Sequence, residues 1–249
     1  MDNLQLLIDL HKRADRQGPG GDSETRKAME LALPRVSKPL KIADIGCGTG
    51  ASTMLLARDL NAHVTAVDFL PEFIEVLKTR AESEGLMDKI TPIVASMDEL
   101  PFTEDEYDVI WSEGAIYNMG FKKGVDDWRR FLKPGGLLVV SEITWTTGER
   151  PSELQNYWHS EYPEIGTASS KMRVLEDSGY TPVAYFSLPE HCWLDNYYRP
   201  IQNSFSAFLA RNENSEAAQA LVAAEKNEIS LYEQHKNHFS YGMYIAKLP

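Results

Sequence analysis

Glycines at alternate positions, Gly46, Gly48 and Gly50, follow the apolar run Lys41-Ile42-Ala43-Asp44-Ile45 and precede the helix-compatible Ala51-Ser52-Thr53-Met54-Leu55-Leu56-Ala57. The pattern predicts a strand, a tight turn and a helix N-terminus. Glycine lets the backbone turn sharply and a ligand approach where a β-carbon would clash. The first N–H groups of the helix lack intrahelical partners and can receive a carboxylate or phosphate. Asp68 ends the next apolar run at the spacing expected of an acid that binds a ribose. Gly46-x-Gly48-x-x-Ala51 therefore also satisfies the dinucleotide fingerprint, and alone it admits NAD or S-adenosylmethionine. For proton transfer the candidate bases are Tyr117, His159 and His191. Cys47 and Cys192 are the two cysteines, and no Cys-x-x-Cys spacing suggests a metal or redox centre. No metal is expected.

Alternating strands and helices must hold these groups. Short apolar or β-branched runs predict strands near 40–46, 62–67, 89–94, 107–111 and 136–143, with helices near 51–60, 71–84 and 122–132. Pro71 suits a first helical turn, and Phe73, Ile74, Leu77 and Ala81 form a buried stripe. This alternation is the signature of a parallel sheet covered on both faces. Upstream, Leu4, Leu7, Ile8 and His11 share a helix face, and Ser23 is positioned to cap a second helix. The loop Arg16-Gln17-Gly18-Pro19-Gly20-Gly21 lies between them. Downstream, 144–166 reads as a long aromatic connection, followed by a helix near 168–178, a strand over 181–188, helices near 197–211 and 215–235, and a last strand over 239–247. Long connections of this kind are more often functional than decorative.

Composition narrows the partners. Lys plus Arg number 25 against 37 Asp plus Glu, a formal net charge of −12 over 249 residues. That sign disfavours neutralising a phosphate backbone, so nucleic acid is not expected as a partner. The acidic N-terminus lacks the pattern of a signal peptide, and no run approaches the roughly 20 apolar residues of a membrane span. Those features predict a cytoplasmic protein without membrane attachment.

Further motifs separate the cofactors. Asp44-x-Gly46-x-Gly48-x-Gly50, Ala66-Val67-Asp68-Phe69, Ala95-Ser96-Met97-Asp98-Glu99-Leu100-Pro101-Phe102 and Phe131-Leu132-Lys133-Pro134-Gly135-Gly136 occur in this order. Together they resemble the motifs of class I S-adenosylmethionine-dependent methyltransferases, in particular the ubiquinone and menaquinone biosynthesis group and its small-molecule relatives. The resemblance is close over about 40–143 and looser to the last strand.

It implies an α/β, Rossmann-like sheet of seven strands, mostly parallel, whose antiparallel last strand is inserted between the fifth and sixth. It also implies one domain over 1–249: an N-terminal helical cover (1–36), a cofactor-binding half (40–143) and a substrate half (144–249) carrying a helical cap insertion (190–235). Carried onto this chain, Gly46, Gly48, Gly50 and the loop amides would hold the methionine part of S-adenosyl-L-methionine, with Asp44 nearby. Asp68 would accept both ribose hydroxyls, Phe69 would lie against the adenine, and Ser96, Met97 and Asp98 would face its edge. Glu113 is a candidate to hold the methionine ammonium, with plain solvation as the alternative, and Arg16 or Gln17 is placed to reach that end from the N-terminal loop. Trp111-Ser112-Glu113-Gly114-Ala115-Ile116-Tyr117-Asn118 lacks the Asn-Pro-Pro-Tyr pattern of many base and glutamine methyltransferases, which favours a small-molecule acceptor.

The aromatic residues Trp145, Tyr157, Trp158, Trp193, Tyr197 and Tyr198 are candidates to line a pocket for an apolar or cationic acceptor, with Glu149 and Glu161 adding negative charge. The acceptor and the oligomeric state stay open at this level. So do two alternatives, a non-catalytic S-adenosylmethionine-binding module and a nicotinamide-dependent oxidoreductase.

Overall fold

The computed structural model describes residues 3–33 and 38–249; positions 1–2 and 34–36 of the expected N-terminal cover fall outside the described residues. Helices α1 (Asn3–His11) and α2 (Asp22–Ala32) precede β1 (Leu40–Ile45), α3 (Ala51–Asp59), β2 (Ala62–Asp68), α4 (Pro71–Ser83), β3 (Ile90–Val94) and β4 (Tyr107–Ser112). There follow α5 (Phe121–Trp128), β5 (Leu132–Trp145), α6 (Ser152–Glu161), β6 (Gly166–Thr167), α7 (Ala168–Asp177) and β7 (Thr181–Ser187). The chain closes with α8 (Glu190–Trp193), α9 (Arg199–Arg211), α10 (Glu216–His235) and β8 (Phe239–Lys247).

The strand order is β3-β2-β1-β4-β5-β8-β7, with the two-residue β6 pairing only with β5. Strands β1 to β5 run parallel, whereas β8 is antiparallel to both of its neighbours, β5 and β7. The order reverses between β1 and β4, so the carboxyl ends of these strands flank a crevice open to a ligand.

Alternate residues of each strand feed two cores. Ile42, Val64, Val109, Val139 and Ile245 face one side, while Ala43, Ile45, Val67, Ile110, Val140 and Tyr244 face the other. Complete burial of an Ile or Val side chain contributes about 1.5–3 kcal/mol. On β5, Glu142 is fully buried and pairs with Lys171 of α7, Nζ to Oε1 at 2.7 Å. Desolvation raises the Glu142 pKa, and Lys171 opposes that rise.

Four local expectations change. Strand β5 extends to 132–145 because Leu137–Trp145 pairs along its length with β8. The helix expected over 122–132 ends at Trp128, and a tighter turn over Arg129–Phe131 buries Phe131 before β5. The 144–166 connection contains α6. Ser23 does not cap α2: the helix starts one residue earlier, Gly21 is at the cap, and the Ser23 hydroxyl donates to Glu24 Oε2 at 2.8 Å.

Candidate active site

A cavity of about 660 Å³ opens at the carboxyl ends of β1, β2 and β4. The glycine loop forms one wall. A β-carbon at Gly46 (φ +73°) would collide with the Ala115 side chain, and one at Gly48 (φ +55°) with Gln17 Oε1. Gly50 caps α3 from behind and does not reach the cavity lining.

The loop amides do not form an open anion cradle. Gly46 and Cys47 N–H donate to Val67 O, Gly50 N–H to Cys47 O, Gly48 N–H to Asp68 Oδ2 at 2.9 Å and Thr49 N–H to Gln17 Oε1 at 2.9 Å. The loop therefore acts as a shaped wall, and its polar capacity is passed to the side chains that hold it. Asp44 bonds none of the loop amides and instead anchors the first turn of α3, which follows the loop. It lies fully buried behind the loop and outside the lining, with Oδ2 accepting from Ser52 (2.8 Å) and Thr53 (2.6 Å). Burial lifts its pKa from 3.8 to about 7.

Asp68, Phe69, Ser96, Met97 and Asp98 all line the cavity. Asp68 is fixed by Gly48 N–H and, through Oδ1, by Leu70 N–H at 3.0 Å. A carboxylate offers about four acceptor sites, so two remain for a vicinal diol. Burial raises the pKa of this acid, and its backbone bonds oppose the rise. The Phe69 ring is 64% exposed beside it, an open apolar face at the cavity edge. Asp98 Oδ1 accepts from Lys123 at 2.7 Å, and Met97 is anchored by its carbonyl, which accepts from Trp128 Nε1 at 3.2 Å.

Arg16 and Glu113 close the far end. Glu113 Oε2 accepts from Arg16 Nη1 at 3.1 Å, and Oε1 accepts from Thr25 Oγ1 (2.7 Å) and Trp111 Nε1 (2.9 Å). Three donors already occupy Glu113, which leaves one acceptor site for an ammonium. Gln17 seals the loop from outside by donating to Thr49 Oγ1 and to the carbonyls of His11 and Ala14.

Of the three proposed bases only Tyr117 lines the cavity, and desolvation together with nearby Glu228 raises its pKa, so it stays a protonated phenol. His159 sits on the exposed face of α6, because Leu154 is the residue α6 buries. His191 faces Glu24 at 3.4 Å on the outer side of α8. Neither histidine lines the cavity. Trp193 instead stacks on Tyr232 and Tyr241, and Trp145 and Trp158 meet Phe239 edge-on, so these rings build core. Tyr197 alone of the expected aromatic set reaches the lining. It is placed there by a wider π-type turn at Leu194–Tyr198, which starts the helical segment earlier than 197. Glu149 and Glu161 are outside the lining, and the Cys47 thiol, though lining it, is pushed well up by burial and is no thiolate.

The remaining wall comes from residues to which the sequence reading gave no catalytic or binding role. His11 of α1 and Glu225 and Glu228 of α10 line it, alongside Leu4, Leu7 and Ile8. His11 Nε2 lies 3.3 Å from Glu225 Oε1. The signal was present in the pattern: the buried stripe Ala218, Val222, Ile229 and Tyr232 has Glu225 at its middle position, an acid where helical spacing demands an apolar residue.

Residues 42–136 match the family model described as a methyltransferase domain. Methyltransferase GfsG of Streptomyces halstedii is 34% identical over 43% of this chain and 39% of its own length. A demethylmenaquinone methyltransferase of Clavibacter sepedonicus is 33% identical over 50% of this chain and 49% of its own. The chain thus spans less than half of either relative. A crystal structure of an S-adenosylmethionine-dependent methyltransferase from Geobacter sulfurreducens, in complex with S-adenosyl-L-homocysteine, superposes with a TM-score of 0.86 at 18% identity, covering 98% of both chains. Residues 42–136 thus match a methyltransferase domain, and the chain as a whole shares the fold of the Geobacter sulfurreducens structure. A methyltransferase domain of this fold points to S-adenosyl-L-methionine as the cofactor.

Proposed function

We propose that the protein transfers the methyl group of S-adenosyl-L-methionine to a small-molecule acceptor by in-line displacement. The observation that carries this reading is the continuity of the cavity, in which the Asp68–Phe69 wall and the Tyr117–Tyr197 wall belong to one space. The cofactor supplies an electrophilic methyl on a sulfonium centre and departs as S-adenosylhomocysteine. Asp68 would accept the ribose hydroxyls, Phe69 would cover the adenine, and Asp98 would face its amine. Glu113 would use its remaining acceptor site for the methionine ammonium, with Arg16 fixing the position of that carboxylate. Gly46 and Gly48 keep the wall thin where a β-carbon would intrude. Asp44 acts behind the loop as a positioning residue.

Holding donor and acceptor in alignment within one cavity supplies much of the rate such a displacement needs. A nicotinamide oxidoreductase is disfavoured because the loop amides that would cradle a pyrophosphate are already engaged. A non-catalytic binding module is disfavoured by the open acceptor side. Incubation with methyl-labelled S-adenosylmethionine and a small-metabolite extract tests the reading. A labelled low-molecular-weight product that depends on the protein is expected, and none would contradict it.

A further inference from the structure

The acceptor side of the cavity has a definite electrostatic character. Two of its lining residues beyond the donor wall are acids on one helix face, Glu225 and Glu228, a spacing that brings their side chains together. Burial, followed by the charge of Glu225, raises the Glu228 pKa. Tyr198 OH donates to Glu228 Oε1 at 2.9 Å, and Oε2 makes no hydrogen bond among the described residues. Two further polar atoms are buried without partners, His11 Nδ1 and Glu225 Oε2, on residues only 7% and 8% exposed that both line the cavity. Glu225 and Glu228 thus turn carboxylate oxygens without partners among the described residues towards the cavity, and the rings of Tyr117 and Tyr197 line the same space.

No anion fits that chemistry. Among the described residues, the lining side chains able to carry positive charge are Arg16, engaged by Glu113 and Asp22, and His11, which faces Glu225. A carboxylate or phosphate acceptor would meet Glu225 and Glu228 uncompensated. An ammonium would instead donate to both acids and lie against aromatic faces that attract cations.

We propose that the acceptor is a small primary or secondary amine, seated as its ammonium between Glu225 and Glu228 against Tyr117 and Tyr197, with Glu228 as the group that takes its proton. This rests on the methyl-transfer reading above. The ammonium N–H bond breaks and its proton passes to the Glu228 carboxylate, which frees the nitrogen lone pair. That pair forms the N–C bond as the C–S bond breaks, and the electrons of the C–S bond remain on sulfur. The product is the methylated ammonium or its conjugate amine, and the proton on Glu228 returns to solvent.

The test uses the full chain, methyl-labelled S-adenosylmethionine and a small-metabolite extract. Once residual donor is separated, products are fractionated by cation exchange at low pH, and binding of S-adenosylhomocysteine is followed by calorimetry. Label is expected in the cation-retained fraction, falling by about a hundredfold in Glu228→Gln, while S-adenosylhomocysteine binding stays as in the unsubstituted protein. Label confined to neutral or anionic products would overturn the amine and leave methyl transfer standing. Undiminished labelling of amines by Glu228→Gln would overturn the role of that carboxylate. No labelled product in any fraction, with S-adenosylhomocysteine bound normally, would instead count against the methyl-transfer reading itself.

Discussion

Arg16 and Glu113, 97 residues apart in sequence, meet at 3.1 Å inside the cavity. The contact joins the loop that precedes the sheet to the residue that follows β4. Thr25 and Trp111 hold the same carboxylate, so the loop before α2 and α2 itself are tied to the carboxyl end of β4 by a buried charge pair.

Removing one member of such a pair strands the other. Arg16→Ala leaves Glu113 buried with neutral donors alone, and a loss of about 3 kcal/mol of unfolding free energy is expected in urea titrations. S-adenosylmethionine affinity falls with it. A variant of unchanged stability and affinity would show that the loop merely lies over the site.

Asp44 makes stability depend on pH. Its carboxyl titrates near 3.8 when unfolded and about 7 in the fold. Between those values the folded state keeps a proton that the unfolded state has lost. The stability contribution is therefore full below about pH 4 and declines as pH rises towards 7, by at most about 1.4 kcal/mol per unit. Asp44→Asn keeps an acceptor for Ser52 and Thr53 and does not titrate. Its Tm relative to the unsubstituted protein is expected to rise between pH 5 and 7, and a constant difference would refute the assignment.

Lys171 neutralises Glu142 in the core between β5 and α7. Lys171→Met leaves an unpaired buried carboxylate and is expected to cost about 3–5 kcal/mol in chemical denaturation. The double substitution Lys171→Met with Glu142→Leu should recover most of that loss. Failure to recover would mean that the pair contributes through shape and not through charge.

The two histidines that stood as candidate bases lie outside the cavity lining. His159→Ala and His191→Ala should each leave the labelled-methyl turnover within about twofold of the unsubstituted protein, the range expected of surface changes. A hundredfold loss in either would require a rearranged site.

The sheet and its donor wall were legible in the sequence because local patterns specify them. Gly46 and Gly48 follow β1, Asp68 ends β2 and Met97-Asp98 follow β3, so strand order alone brings them together. Gly50 and Asp44 shared the motif yet serve from behind, since which side of a tight turn faces a ligand depends on φ values and not on spacing. The acceptor wall was hidden for another reason. His11, Glu225 and Glu228 come from distant segments, and their meeting beside Tyr197, which the sequence did offer, depends on how α1 and α10 pack beside the π-type turn. Aromatic content also pointed at Trp145, Trp158 and Trp193, which contacts with Phe239, Tyr232 and Tyr241 draw into the core.

The central claim is that Asp68 holds the ribose of S-adenosylmethionine. Calorimetry of S-adenosylhomocysteine against the unsubstituted protein and Asp68→Ala tests it most directly, because two charge-assisted hydrogen bonds are at stake. Binding to the unsubstituted protein is expected, weakened by roughly a hundredfold or more in the variant. Equal affinity for both proteins, or binding of NAD in place of S-adenosylhomocysteine, would contradict it.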